Sequence, residues 1–458
     1  MQFNRRQFMA SAAVFSALAP GRLRAQPALS LKAAPSMVRL APEEYPETAL
    51  WTFNNQSPGA EIRLKQGQSM RRLFENGLAE SSSVHWHGIR GPNAMDGVPG
   101  VTQDPVLPGQ SFLYDFQPPD AGTFWYHSHQ NSVEQMARGL YGPLIIEETT
   151  PPDVDRDEVI VLDDWRLTQK AEIDPNFANP HDFSHAGRMG NFITANSSYD
   201  LKYQVKQNDR LRLRLINAAN ARIFNLALQG LEGWIVAIDG QPLATPEIAK
   251  QMVLAPGQRI DLMVDVTAQP GAQAYLVRVD RDKGFAQTTF EVTGSGAQAR
   301  RTEAVALPAN PVEGPGDLAS AQMAPLLMEG GAMGQMQSAK LQGVQTSMGD
   351  LAGQGKFWAF NGTVGQTDVP LASLQRGETL RIPMTNQTAF PHAMHLHGHH
   401  FREVLADGSF GPLRDTLLVL PNEKREIAFV ADNPGDWLFH CHMLAHQAAG
   451  MRTWIKVA

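Results

Sequence analysis

The stretch Trp437-Leu438-Phe439-His440-Cys441-His442-Met443-Leu444-Ala445-His446, continued to Met451, decides how the chain is read. It holds the only cysteine in 458 residues. A thiolate, imidazoles and a distant thioether are the ligand set of a blue, electron-transfer copper, and that set needs one further imidazole from elsewhere. Side chains alternate faces along a strand, so Cys441 points one way while His440 and His442 point the other. A metal on Cys441 is thereby joined, through two short backbone segments, to whatever His440 and His442 hold.

The partners lie in three further clusters. His85-Trp86-His87-Gly88 and His127-Ser128-His129 each put two imidazoles on one face of a strand. In His392-Ala393-Met394-His395-Leu396-His397 the last two histidines share a face, and His392, at odd spacing, takes the other. One residue of this cluster can therefore join Cys441. Eight imidazoles remain: His85, His87, His127, His129, His395, His397, His440 and His442. They are too many for one metal and suit three ions with open positions.

These four clusters, in this order, resemble the copper signatures of the multicopper oxidases, which include laccases and bacterial cuprous oxidases. The resemblance runs from Pro58 to Met451. It implies a type 1 copper on Cys441, His392 and His446, with Met451 as weak axial ligand. It implies a type 2 copper on His85 and His395, and two type 3 coppers on His87, His127, His129, His397, His440 and His442. Four copper ions then match the four electrons that reduce O2 to two waters. Asp96, in Met95-Asp96-Gly97, matches an acidic residue beside the type 2 copper that handles protons, although an Asp-Gly pair also reads as a turn. Gln447 stands where copper-handling relatives commonly carry Glu, and it cannot ionise. Trp86 and Trp125, beside the ligands, are expected to pack.

Length suggests three domains. Two patterns recur three times. One is a turn, a strand and an asparagine, ending at Asn76, Asn217 and Asn386. The other is a turn and strand followed by a Gly-to-aromatic strand, starting at Gly109, Gly257 and Asn422. Short alternating strands between Gly and Pro turns read as β-sandwiches. The expectation is an all-β chain of domains 36–148, 155–295 and 316–458, which the resemblance makes cupredoxin-like Greek keys. The middle copy has Asn217-Ala218-Ala219-Asn220 and Ala274-Tyr275-Leu276-Val277 where its siblings carry histidines. It is expected to space and hold the outer two, and the inner cluster falls at the seam between the first and third.

A net charge of −7 excludes nucleic acid and an anionic membrane surface as partners. One cysteine excludes a disulfide framework. Residues 1–25 resemble a twin-arginine signal, with Arg5-Arg6 ahead of a short apolar run. No later segment is long enough to span a bilayer, so the expectation is a monomer exported to the periplasm, without stable membrane association.

The donor stays open between Cu(I) and small aromatic reductants. Met323, Met328, Met333, Met336 and Met348 crowd the start of the third domain. Thioethers suit Cu(I), and the stretch resembles, in sparser form, the Met-rich insert of cuprous oxidases. It equally reads as a Met-lined cover. A short helix is expected over Ala324 to Gln337. Thr388 stands where such enzymes have an Asp, four residues before His392. His181 and His185 are expected to be solvated, and His399 and His400 to pack or reach water. The alternative from another class is an exported copper-binding or structural protein without turnover.

Overall fold

The computed structural model describes residues 28–304 and 306–458; the signal-like segment lies outside them. The described residues form three pairs of sheets in chain order. The first pair comprises a four-stranded sheet, Thr48–Phe53, Leu29–Val38, Met70–Asn76 and Ser111–Phe116, facing a second made of Ile62–Lys65, Tyr141–Glu147, Gly122–His127 and His85–His87. Its leading strand begins at Leu29, ahead of the expected start at 36. The second pair has six and five strands and the third ten and five. Each pair closes on its own apolar core, centred on Phe74 and Tyr126, on Leu213 and Leu262, and on Ile382 and Phe439. A fourth apolar cluster, with Trp125, Trp165 and Leu444, glues the sandwiches together. No helix among the described residues is long and apolar enough to cross a membrane.

The recurring asparagine has one job, done three times. Asn76 Nδ2 donates to the carbonyls of Glu80 and Val106, and its Oδ1 accepts from Leu78 N. Asn217 repeats this with Arg222, Leu254 and Ala219. Asn386 repeats it with Phe390, Val419 and Thr388. A short amide side chain thus satisfies buried backbone groups where a strand leaves its sheet. In the outer copies, the loop so closed leads directly into the first histidine strand.

Between Gly296 and Ala321 the described residues carry no strand. The segment is nevertheless tied down, with Asn310 bonding both backbone groups of Ala121 at 2.8 Å and Arg210 donating to Arg301 O and Glu303 O.

The methionine stretch is not helical. Leu326–Gly330 is a strand with Leu326 and Met328 buried at period two, and it pairs parallel to Thr379–Asn386. Gly330 and Gly331, both at positive φ, end it in a turn. A helix would have exposed Leu326 or Met328, and burying both on one sheet face wins. Met328 belongs to the core and is thereby removed from the candidate Cu(I) ligands. Met323 and Met333 are 54 % and 78 % exposed, whereas Met336 and Met348 are half-buried.

Asn217→Ala strands two carbonyls and one N–H in the ligand-free middle sandwich. The expected cost is about 2 kcal/mol or more, read by calorimetry as an earlier unfolding transition. Asn76→Ala and Asn386→Ala are expected to behave alike, because the three asparagines do equivalent work.

Candidate metal centre

The strand Gly435–Cys441 runs antiparallel to His392–Leu396 with His395 opposite His440 and Met394 opposite Cys441. Opposed residues share a face, so His395, His397, His440 and His442 gather on one side. His85–His87 and Gly122–His127 pair in the same way, with His85 opposite His127. The two histidine faces meet across the seam, and all eight imidazoles are buried.

Within this group the rings pack closely across the seam, with His87 stacked on His395 at 3.8 Å and His85 on His397 at 4.0 Å. His129, His397 and His440 have centroids 5.1–5.5 Å apart. His87, His127 and His442 lie 4.9–5.7 Å apart. His85 and His395 remain, their rings 6.0 Å apart.

The nitrogens divide into anchored and free. Nδ1 of His85, His127, His395 and His440 bonds the carbonyl oxygens of Asp96, Ser128, Asp415 and Cys441, respectively, at 2.7–3.0 Å. His87 is anchored through Nε2 on Asp415 at 3.2 Å, and His397 through Nδ1 on Asp96 at 2.9 Å. The opposite nitrogens of His85, His87, His127 and His395, and both nitrogens of His442, are buried without a partner. His397 Nε2 and His440 Nε2 face each other at 3.0 Å. Buried polar atoms are almost always satisfied, so this many orphans aimed at one space fit metal ions. Burial lowers the pKa of His87, His127, His129, His440 and His442, which keeps the rings neutral and able to ligate.

On the other face of the strand, Cys441 Sγ lies 3.6 Å from His392 Nδ1 and 3.7 Å from His446 Nδ1, with 3.1 Å between the two nitrogens. One sulfur and two nitrogens thus converge in a triangle sized for one ion. Burial pushes the Cys441 thiol up to about 12, so a cation has to displace its proton. Met451 is buried in the same apolar cluster, and its carbonyl accepts from Cys441 N. Thr388 Oγ1 sits 2.8 Å from His392 Nε2, and His446 Nε2–H donates to the His185 carbonyl at 2.6 Å. Trp358 lies against both rings.

Asp96 is buried and spans the seam's two sides, with Oδ1 3.2 Å from His85 Nδ1 and Oδ2 on His397. Burial alone would raise its pKa, but the His397 and His85 imidazoles outweigh this and hold it well below the usual carboxylate range. Gln447 lines a cavity of about 260 Å³ that reaches His129 between Ser132–Ala137 and Leu444–Ala448.

Three residues escaped the sequence reading. Asp415 touches His87 and His395. Arg259, from the middle sandwich, holds Asp415 by two bonds of 2.9 and 2.6 Å and also donates to Thr123 O. Asp239 accepts from Arg259 N and Thr416 N. None stands beside a histidine motif in sequence. The nearest signal is Gly88 itself, since a Cβ there would collide with Arg259 Nη2 and meet Asp415 Oδ2 at 2.7 Å.

The remaining expectations divide. Trp86 packs on Tyr114, Phe116 and Tyr126, and Trp125 lies 4.4 Å from the His127 ring. His399 packs on Phe429 and Trp437, and His400 is buried 3.7 Å from Asp415. His181 is exposed, whereas His185 is half-buried and joined through its carbonyl to the Cys441 site, unlike the solvated pair expected.

Three family models, each described as multicopper oxidase, match residues 36–151, 156–299 and 338–458. A multicopper oxidase of Mycobacterium tuberculosis, MmcO, is 30% identical over 443 residues, covering 89% of this chain and 83% of that protein. The crystal structure of Lac15, from a marine microbial metagenome, is 43% identical with a TM-score of 0.77, covering 94% of this chain and 100% of that one. That of a multi-copper oxidase from Pseudomonas thermotolerans is 33% identical with a TM-score of 0.81, covering 94% and 99%. The chain therefore belongs to the multicopper oxidases, oxidoreductases that draw electrons from Cu(I) or phenolic donors and pass them to O2.

Proposed function

We propose that the chain holds four copper ions in the arrangement its ligands suggest. Cys441, His392 and His446 would hold the type 1 ion, with the buried Met451 as a further, weak thioether ligand. His85 and His395 take the type 2 ion. His87, His127 and His442 take one type 3 ion, and His129, His397 and His440 the other. Four coppers cycling between Cu(I) and Cu(II) supply the four electrons that carry O2 to two waters. The observation that carries this reading is the set of buried imidazole nitrogens left unpaired, four of them, on His85, His87, His127 and His395, opposite a nitrogen fixed by a protein acceptor. That anchoring fixes the tautomer of His85, His127, His395 and His440, whose Nδ1–H meets a backbone carbonyl.

The chain's own residues do the rest. Backbone from Cys441 to His440 and to His442 joins the two sites. Asp96 holds a negative charge against His85 and His397 and is the group placed to take and return protons at the inner cluster. The cavity at His129 gives O2 a way in, and Gln447 there supports hydrogen bonding but no ionisation. Since all ligands come from one chain, one protomer completes the centre. Arg5-Arg6 and the apolar run after it support export of the folded chain by the twin-arginine route to the periplasm.

Cu(I) is the donor this reading favours. Thr388 and His185 already occupy the outer nitrogens of His392 and His446, which denies an organic donor a direct hydrogen bond to either ring. Steady-state rates with Cu(I) against a panel of phenols test this. Preference for Cu(I) supports the assignment, and faster turnover of phenols at matched concentration overturns it.

Two substitutions check the assignments. Cys441→Ser is expected to abolish the absorption near 600 nm and lower bound copper by one equivalent, with donor oxidation lost. Asp96→Asn is expected to lower kcat about 100-fold, while anaerobic bleaching near 600 nm by a donor keeps its wild-type rate.

A further inference from the structure

Over the Cys441 site lies a cap from the middle sandwich, the short helix Pro180–Ser184 with His185 after it. Three consecutive carbonyls of this cap take donors from the third sandwich. Trp358 Nε1 donates to Phe183 O at 2.6 Å, Ala332 N to Ser184 O at 2.7 Å and His446 Nε2 to His185 O at 2.6 Å. The cap is therefore fixed to a type 1 ligand, to the tryptophan against it and to the glycine-rich turn after Leu326–Gly330.

On the outside of this cap stand His181 and His185, one helical turn apart. Their rings stack 3.9 Å apart at 10°. Ser184 Oγ lies 2.9 Å from His185 Nδ1, which leaves His185 Nε2 as the nitrogen open to a ligand, on a half-buried ring 5.7 Å from that of Phe390. His181 is exposed. The turn fastened to Ser184 carries Met333, 78 % exposed and at positive φ. A large apolar thioether held in water by a strained turn has no packing role. Two imidazoles at the spacing His-x3-His are a metal-binding pattern, and an adjacent thioether biases the set toward Cu(I).

We propose that His181 and His185, with Met333 on the turn fastened to Ser184, form a surface docking site for the Cu(I) substrate. The proposal deepens the Cu(I) reading above and rests on it. A Cu(I) ion captured there loses one electron and leaves as Cu(II). The electron crosses the His185 backbone and the hydrogen bond from its carbonyl to His446, and the oxidase reaction delivers it to O2. Four such turnovers consume one O2 and four protons and yield two waters. The site explains why both outer nitrogens of the type 1 imidazoles are closed to solvent: donor access is moved outward onto the cap.

The test uses the full, copper-loaded enzyme. Ag(I), a redox-inert stand-in for Cu(I), is titrated against a chromophoric chelator for wild type and for the double variant His181→Ala, His185→Ala, which keeps the backbone carbonyl at 185. The expected result is loss of one tightly bound Ag(I) equivalent and a roughly tenfold rise in KM for Cu(I). Absorption near 600 nm and phenol kinetics should stay within twofold. His181→Ala alone, at an exposed position, guards against a folding failure and is expected to weaken Ag(I) binding; His181→Met is expected to restore it. If wild type oxidises Cu(I) and the blue double variant keeps the same Ag(I) count and KM, the docking site falls while the donor reading stands. If wild type does not oxidise Cu(I), both fall.

Discussion

The buried pair Arg259–Asp415 is the interaction on which the centre's geometry depends. The middle sandwich contributes no ligand, yet Arg259 reaches from it into the seam and fixes Asp415 with two bonds. Asp415 in turn meets His87 from the first sandwich and His395 from the third. A charge placed by one domain thus orients imidazoles from the two others. Burying two charges costs several kcal/mol each unless their hydrogen bonds are complete. Here they are, since Arg259 also donates to Thr123 and Gly257 carbonyls and Asp415 also accepts from Thr416. The expectation that the middle copy spaces and holds its siblings was too modest. Its Gly257, at φ +84, lies where a Cβ would come within 2.9 Å of the His442 ring, so this domain forms part of the wall.

Most of the centre was legible because strand alternation turns sequence parity into geometry. Parity alone separated Cys441 and His392 from His395, His397, His440 and His442, and the antiparallel register of His392–Leu396 with Gly435–Cys441 realises that separation. The three-fold repeat was legible because one asparagine closes the same loop in each copy. Asp415, Arg259 and Asp239 were not legible. A carboxylate or guanidinium in a strand has no periodic signature that distinguishes a buried ion pair from a solvated face, and its partners lie in other domains. The His185 carbonyl was invisible for a simpler reason, since a backbone acceptor carries no sequence identity at all.

The methionine stretch departs from expectation in an instructive way. Its spacing suggests a helix only if methionine is treated as the signal. The sheet responds instead to Leu326 and Met328 at period two and to the glycines that stop the strand. One methionine became core, and others were left at the surface. What separates them is exposure, a property that identity and spacing alone do not encode. The same correction moves attention from the methionines as a group to the single turn fastened against Ser184.

The arrangement also bears on how metal loading and folding are linked. Buried imidazole nitrogens without partners destabilise a fold by about 1–3 kcal/mol each, and several face the seam. Their cost falls on the contact between the first and third sandwiches rather than on either core, because each core closes on apolar residues of its own. A bound ion therefore stabilises the seam before anything else. The ion pair Arg259–Asp415 and the bonds of Asp96 hold that seam in register, and burial raises the Cys441 thiol, so a cation bound there has to displace its proton. The fold thus supplies the geometry and, where a ring nitrogen is anchored on Asp96, Ser128, Asp415 or Cys441, the tautomer that a ligand needs.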